Sequence, residues 1–230
     1  MSGDRTRYLD LAAGCYERAG LFGDAARCRE EAGTLLAAAP LYVRAGDPAR
    51  AAECYERARH PAEAADLLLR LGRAEEAAGC WERAGEGVTA AWLLLVHTRR
   101  FRHARWLLDG TGEHGPRHEL ALALAEVREG AGEARLERVV EQLATGDALR
   151  SDTAARRAEL RDRAVAAADL AGRRDLAATV FAAAYGIDGD SVLPAWRAWA
   201  EEAMGGTLGL PGEPRRTQEP RRTQEHGSAA

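Results

Sequence analysis

Apolar side chains return along this chain with a period of thirteen residues. In register, CYERAGLFGDAAR from Cys15, CREEAGTLLAAAP from Cys28, LYVRAGDPARAAE from Leu41 and CYERARHPAEAAD from Cys54 are followed by LLLRLGRAEEAAG from Leu67, CWERAGEGVTAAW from Cys80, LLLVHTRRFRHAR from Leu93 and WLLDGTGEHGPRH from Trp106. In the fourth unit Ala51, Cys54, Tyr55 and Ala58 stand at i, i+3, i+4 and i+7, the apolar stripe of an amphipathic helix, while Glu53, Glu56 and Arg57 fall on the other side. The pairs Glu53–Arg57 and Asp66–Arg70 place acid before base at i,i+4, which supports an exposed helix. Turn residues recur at one phase: Gly20, Gly33, Gly46-Asp47-Pro48, His60-Pro61, Gly72 and Gly85 to Gly87. Glycine suits the left-handed residue past a helix end, and proline suits the first helical turn.

Each unit is therefore one helix of roughly ten residues and one turn. Such a helix is marginal alone, so it must bury its stripe against neighbours. Turns this short force successive helices antiparallel, and the Ala-Ala face lets them approach closely. The pattern predicts an all-α fold: an α-solenoid of short antiparallel helix hairpins, 13 residues per helix-turn unit and 26 per hairpin, with longer C-terminal helices. Pro40 falls where the third unit should be mid-helix, so that helix is expected to kink, or to begin at Pro40 and be unusually short.

The repeat fades through residues 110–116. Longer helices are expected over about 117–129, 133–144, 152–171, 174–185 and 192–204, with Asp152 and Ser191 as N-caps and Gly130, Gly172 and Gly186 as stops. Trp196 and Trp199 are expected to cover the last apolar face. This organises the chain into a repeat array over 1–118, a C-terminal helical region over 119–204 that continues or caps the solenoid, and a disordered tail over 205–230, where EPRRTQ occurs twice.

Composition sharpens this picture. Ala, Leu, Arg and Glu dominate, and all 32 basic residues are arginine, so chemistry that needs a lysine amine is excluded. The formal charge of -4 is spread over interspersed signs, which argues against a nucleic-acid partner. No apolar stretch approaches the ~20 residues of a membrane span, and MSGDRTRY lacks the apolar core of a signal peptide, so a cytoplasmic protein without membrane contact is expected. Cys15, Cys28, Cys54 and Cys80 share the core phase and read as small hydrophobes, not metal ligands. His97, His103, His114 and His118 read as polar residues in and beside an exposed loop, and Asp188-Gly189-Asp190 as a turn. The four serines include none in a Gly-x-Ser-x-Gly setting, so neither catalysis nor a cofactor is expected.

The segments AAGCYERAG, AAECYERA and EAADLLLRLGR resemble tetratricopeptide-like helical repeats of the kind found in clathrin-type and intraflagellar-transport solenoids. The resemblance covers about residues 8–110, with a further match over 152–186, and implies a non-catalytic scaffold or adaptor that binds a protein or peptide. Trp92 lies on the phase that holds Arg27, Glu53 and Asp66 elsewhere and is expected to be an exposed aromatic of the kind that anchors partners. Arg18, Arg44, Arg57, Arg70 and Arg83 share one phase as a ridge beside Glu17, Glu56 and Glu82, a second candidate surface. The alternatives are a nucleic-acid-binding repeat that uses this ridge, or a regulatory subunit of a multi-component bacterial system.

Overall fold

The computed structural model describes residues 2–145, 153–206 and 209–210. The repeats fold as α1 (Ser2–Arg18), α2 (Phe22–Glu31), α3 (Leu35–Arg44), α4 (Pro48–Arg57), α5 (Pro61–Arg70), α6 (Ala74–Arg83), α7 (Gly87–His97) and α8 (Phe101–Gly110). Each packs on the next in chain order. The cause is the alanine pair: from Ala25–Ala26 to Ala90–Ala91 these methyls are at most 2 % exposed, small enough to let neighbouring helices approach closely. The fold is all-α and solenoid-like.

The turns repeat as faithfully as the helices. After α3 the Gly46 N–H donates to the Val43 carbonyl (3.1 Å) and the Asp47 N–H to the Tyr42 carbonyl (2.9 Å), with Gly46 at φ 79°. This is the Schellman arrangement, which needs a left-handed residue. The same two bonds close α4, yet there the left-handed position is Arg59, at φ 61°, the one non-glycine residue at positive φ among the described residues. A side chain in that region costs about 1–2 kcal/mol, offset in part by the extra flexibility glycine brings to the unfolded chain. Arg59→Gly is expected to raise stability by about 0.5–1 kcal/mol, read as a higher urea midpoint.

Pro40 lies inside α3, which nevertheless starts at Leu35 and keeps the ten-residue length of its neighbours. The helix neither begins at Pro40 nor is shortened. Pro40 forgoes one bond to the Leu36 carbonyl, and Leu36 is about half exposed, so water can serve that oxygen.

The chain then changes habit. Helices α9 (Pro116–Glu129), α10 (Ala134–Thr145), α11 (Ala154–Leu170), α12 (Arg174–Asp188) and α13 (Leu193–Met204) gather into a bundle, with a 3-10 turn over Gly189–Val192. α9 touches α7, α8, α10 and α11, while α10 and α11 both lie against α12. One core runs from Ala78 to Leu210, whereas the earlier hairpins hold two smaller cores. Trp196 and Trp199 are buried on Phe181, with ring centroids 5.4 and 5.6 Å away.

Several boundaries differ from expectation. Gly186 does not stop α12, which continues to Asp188, where Arg157 holds the carboxylate, and ends at Gly189 instead. Ser191 is no N-cap; its hydroxyl donates to the Asp188 carbonyl (2.8 Å) within the 3-10 turn. Thr153 caps α11 by accepting from the Arg156 N–H (3.4 Å), and Asp152 lies outside the described residues. Leu210 is buried in the main core, so packing reaches past the expected start of the tail at 205; residues 211–230 lie outside the described residues. The helical run Arg174–Met204 is, by length and composition, apolar enough to cross a membrane, contrary to the sequence expectation. That run is broken at Gly189–Val192, and its Val180, Phe181, Trp196 and Trp199 serve the core.

Candidate functional site

The arginine ridge is largely paired within the array. Arg57 of α4 holds Glu30 of α2, and Arg83 of α6 holds Glu56 of α4. Both pairs span 27 residues, because the repeat places the same acid and base on consecutive hairpins. The next acid, Glu82, would meet position 109, but that residue is Asp109; His103 Nε2 approaches Glu82 instead, at 3.5 Å. The lowest rung is reinforced from the side: the Tyr42 hydroxyl donates to Glu30 Oε2 (2.7 Å). That bond, followed by Arg57, holds the Glu30 carboxyl below its usual range against the opposing effect of burial. Burial and the same bond push the Tyr42 phenol up to about 12. Arg70 pairs with Asp66 (2.7 Å), Arg44 lies 3.8 Å over the Phe22 ring, and Arg18 donates to Cys15 Sγ (3.3 Å). Glu56, Arg57 and Arg83 line one open groove of about 730 Å³ floored by Trp81, whereas Arg18, Arg70 and Glu82 lie outside it.

Trp92 is buried, not exposed. The reason is the change of habit: α9 crosses α7 and α8 and covers the side that earlier units leave to solvent. The Arg163 guanidinium of α11 stacks 5.3 Å from the Trp92 ring centroid and pairs with Glu159 (2.9 Å). The exposed indole is Trp106, at 65 %. It occupies the Cys/Leu phase of the last unit, where the repeat gives way to the bundle and α9 leaves it uncovered.

His118 departs from the loop reading as well, being the one buried polar side chain of the described core. Its Nε2 lies 3.1 Å from the Leu108 carbonyl, which can only accept, so this nitrogen carries the proton and helps to close the end of α8. Burial raises the Cys54 and Cys80 thiols, as expected of cysteines used for packing, but Cys15 is exposed and Cys28 half-buried because the array thins toward its start.

A second groove opens where the repeat turn fails. The glycine phase reaches Thr98, whose branched side chain disfavours the left-handed region, and the residue adopts an extended conformation (φ -131°). Its hydroxyl donates to the Leu94 carbonyl (2.7 Å) and accepts from the Arg100 N–H (3.1 Å), so the turn opens without a Schellman closure. This sets Arg99, Arg100, Arg102 and His103 along one wall of a groove of about 860 Å³, with Phe101, Arg128 and Glu129 completing it. Arg100 is committed to Glu75 (2.9 and 3.1 Å) and His103 to Glu82. Arg128 sits 4.7 Å over the Phe101 ring and donates to the Thr98 carbonyl (3.4 Å), while its buried Nε has no partner. Among the described residues none pairs with Arg99 or Arg102. His103 links this wall to Trp106, their rings 5.9 Å apart.

The result is a shallow cationic groove with one carboxylate on its lining and, through His103, an exposed indole at its lip. Guanidinium groups in this setting bind carboxylates or phosphates in fork geometry. The sequence signal was present in the run RRFRHARW and in threonine at the glycine phase. Compared with known proteins, the chain matches no family model, no curated protein and no solved structure.

Proposed function

We propose that this chain is a tetratricopeptide-like scaffold, non-catalytic, whose groove at Arg99–His103 and Arg128 receives an acidic segment of a partner protein. The observation that carries this reading is the contrast between the two arginine surfaces. Along the array Arg57 and Arg83 are neutralised by Glu30 and Glu56, whereas none of the described residues pairs with Arg99 or Arg102, and Trp106 nearby on the same helix as Arg102 is exposed. Unpaired cations and a large exposed aromatic are the groups that contribute most when covered by a partner. A peptide supplies carboxylates at side-chain spacing and an apolar contact for Trp106.

The test is fluorescence anisotropy of the full chain with two labelled probes, a glutamate- and aspartate-rich peptide containing one leucine, and a single-stranded oligouridine. The peptide is expected to bind, and the double variant Arg99→Glu/Arg102→Glu to weaken it at least about tenfold, or ~1.4 kcal/mol. Both residues are exposed, so the fold is retained. Preference for the RNA with a steep salt dependence, or peptide binding indifferent to the double variant, would overturn the assignment.

A further inference from the structure

At the other end of the array, α1 presents an apolar stripe that none of the described elements covers. Arg29 of α2 holds Asp10 (2.9 Å) and Glu17 (3.3 Å), and Ala13 is fully buried, which fixes the face of α1 that turns inward. The opposite face shows Tyr8 at 73 % and Leu11 at 61 % exposure, with Cys15 exposed beyond them. Asp4 and Arg18, both exposed, stand at its two ends. The spacing 4, 8, 11, 15, 18 alternates four and three residues, the seam of a two-stranded coiled coil.

The order along this seam is acid, tyrosine, leucine, cysteine, base. Read backwards it is base, apolar, apolar, apolar, acid, which is its own electrostatic complement. An antiparallel copy therefore sets Leu11 against Leu11, Tyr8 against Cys15 and Asp4 against Arg18 at both ends. A parallel copy would oppose Asp4 to Asp4 and Arg18 to Arg18. We infer that α1 is a self-association surface, and that two copies of this chain pair through it antiparallel about a two-fold axis at Leu11. Among the described residues neither charge is committed to another: Arg18 donates to Cys15 Sγ, and no charge pairs with it or with Asp4. The seam is short, about 21 Å from Asp4 to Arg18, so the dimer is a weak one with Kd on the order of 10–100 µM.

Sedimentation velocity of the full chain up to about 500 µM tests this. A monomer–dimer equilibrium is expected, weakened at least about tenfold by Leu11→Glu, an exposed change that leaves the helical circular dichroism intact. Asp4→Arg and Arg18→Asp should each weaken it, and the double variant should associate more tightly than either single one. With a mild chemical oxidant, Leu11→Cys in a Cys15→Ser background should form a covalent dimer. Native Cys15 should not, since antiparallel copies hold the two sulfurs about 12 Å apart along the axis, beyond disulfide reach. A chain monomeric throughout, a dimer insensitive to Leu11→Glu, a charge swap without recovery, or a Cys15–Cys15 disulfide would each overturn the inference.

Discussion

Replacing Trp196 with alanine is expected to lower stability by about 3–5 kcal/mol, the largest effect of any single change considered. Trp196 is 2 % exposed and lies edge-on to Phe181 (5.4 Å) and 5.2 Å from Trp199. Among the described residues helix α13 packs chiefly on α12 and the 3-10 turn, so few other side chains are placed to refill the space. The hydrogen bond from Trp199 Nε1 to Asp169 Oδ2 (2.8 Å) survives the change, which leaves the lost packing as the cause. Urea denaturation reads the loss as a lower midpoint. Trp106→Ala is the control: with that indole exposed, its removal should shift stability by no more than about 0.5 kcal/mol.

Ala64→Leu is expected to destabilise by about 1–3 kcal/mol although it adds apolar surface. Ala64 is completely buried in the small core that α4, α5 and α6 share with Ala52, Ala65, Leu68, Ala77 and Cys80. Three extra carbons at that contact must push neighbouring helices apart, and a ten-residue helix has little else to hold it. Leucine is nearly as good a helix former as alanine, so propensity does not account for the loss. Thermal unfolding by circular dichroism checks this. An unchanged or raised midpoint would show that the alanine pair does not set the spacing of the array.

The array was legible in the chain because its two determinants are local. The alanine pair says which side of each helix meets a neighbour, and the glycine phase says where each helix ends; both hold from α2 to α6. Even the exception at Arg59 keeps its phase. What periodicity does not carry is where the chain leaves its own rule. Trp92 looked exposed because its phase is solvent-facing in earlier units, but α9 and α11 lie across it. Cys15 looked buried because its phase is, yet it stands at the start of the array and is exposed; Trp106 shares that phase and is exposed where the repeat gives way to the bundle. His118 looked like a loop residue because proline and glycine precede it, while its ring is drawn in by the carbonyl end of α8. The candidate groove and the seam on α1 both arise at such ends of the rule, where long-range packing decides exposure.

The rungs that join Glu30 to Arg57 and Glu56 to Arg83 carry a consequence for how such a chain changes length. Each rung takes its acid from one hairpin and its base from the next, so a hairpin spliced in or cut out whole leaves every surviving carboxylate facing an arginine. A cut of any other size would strand charges on both sides of the junction. Ionic matching thus acts as a ruler for whole modules, and it ends at Asp109, where an acid stands in the place of the next base.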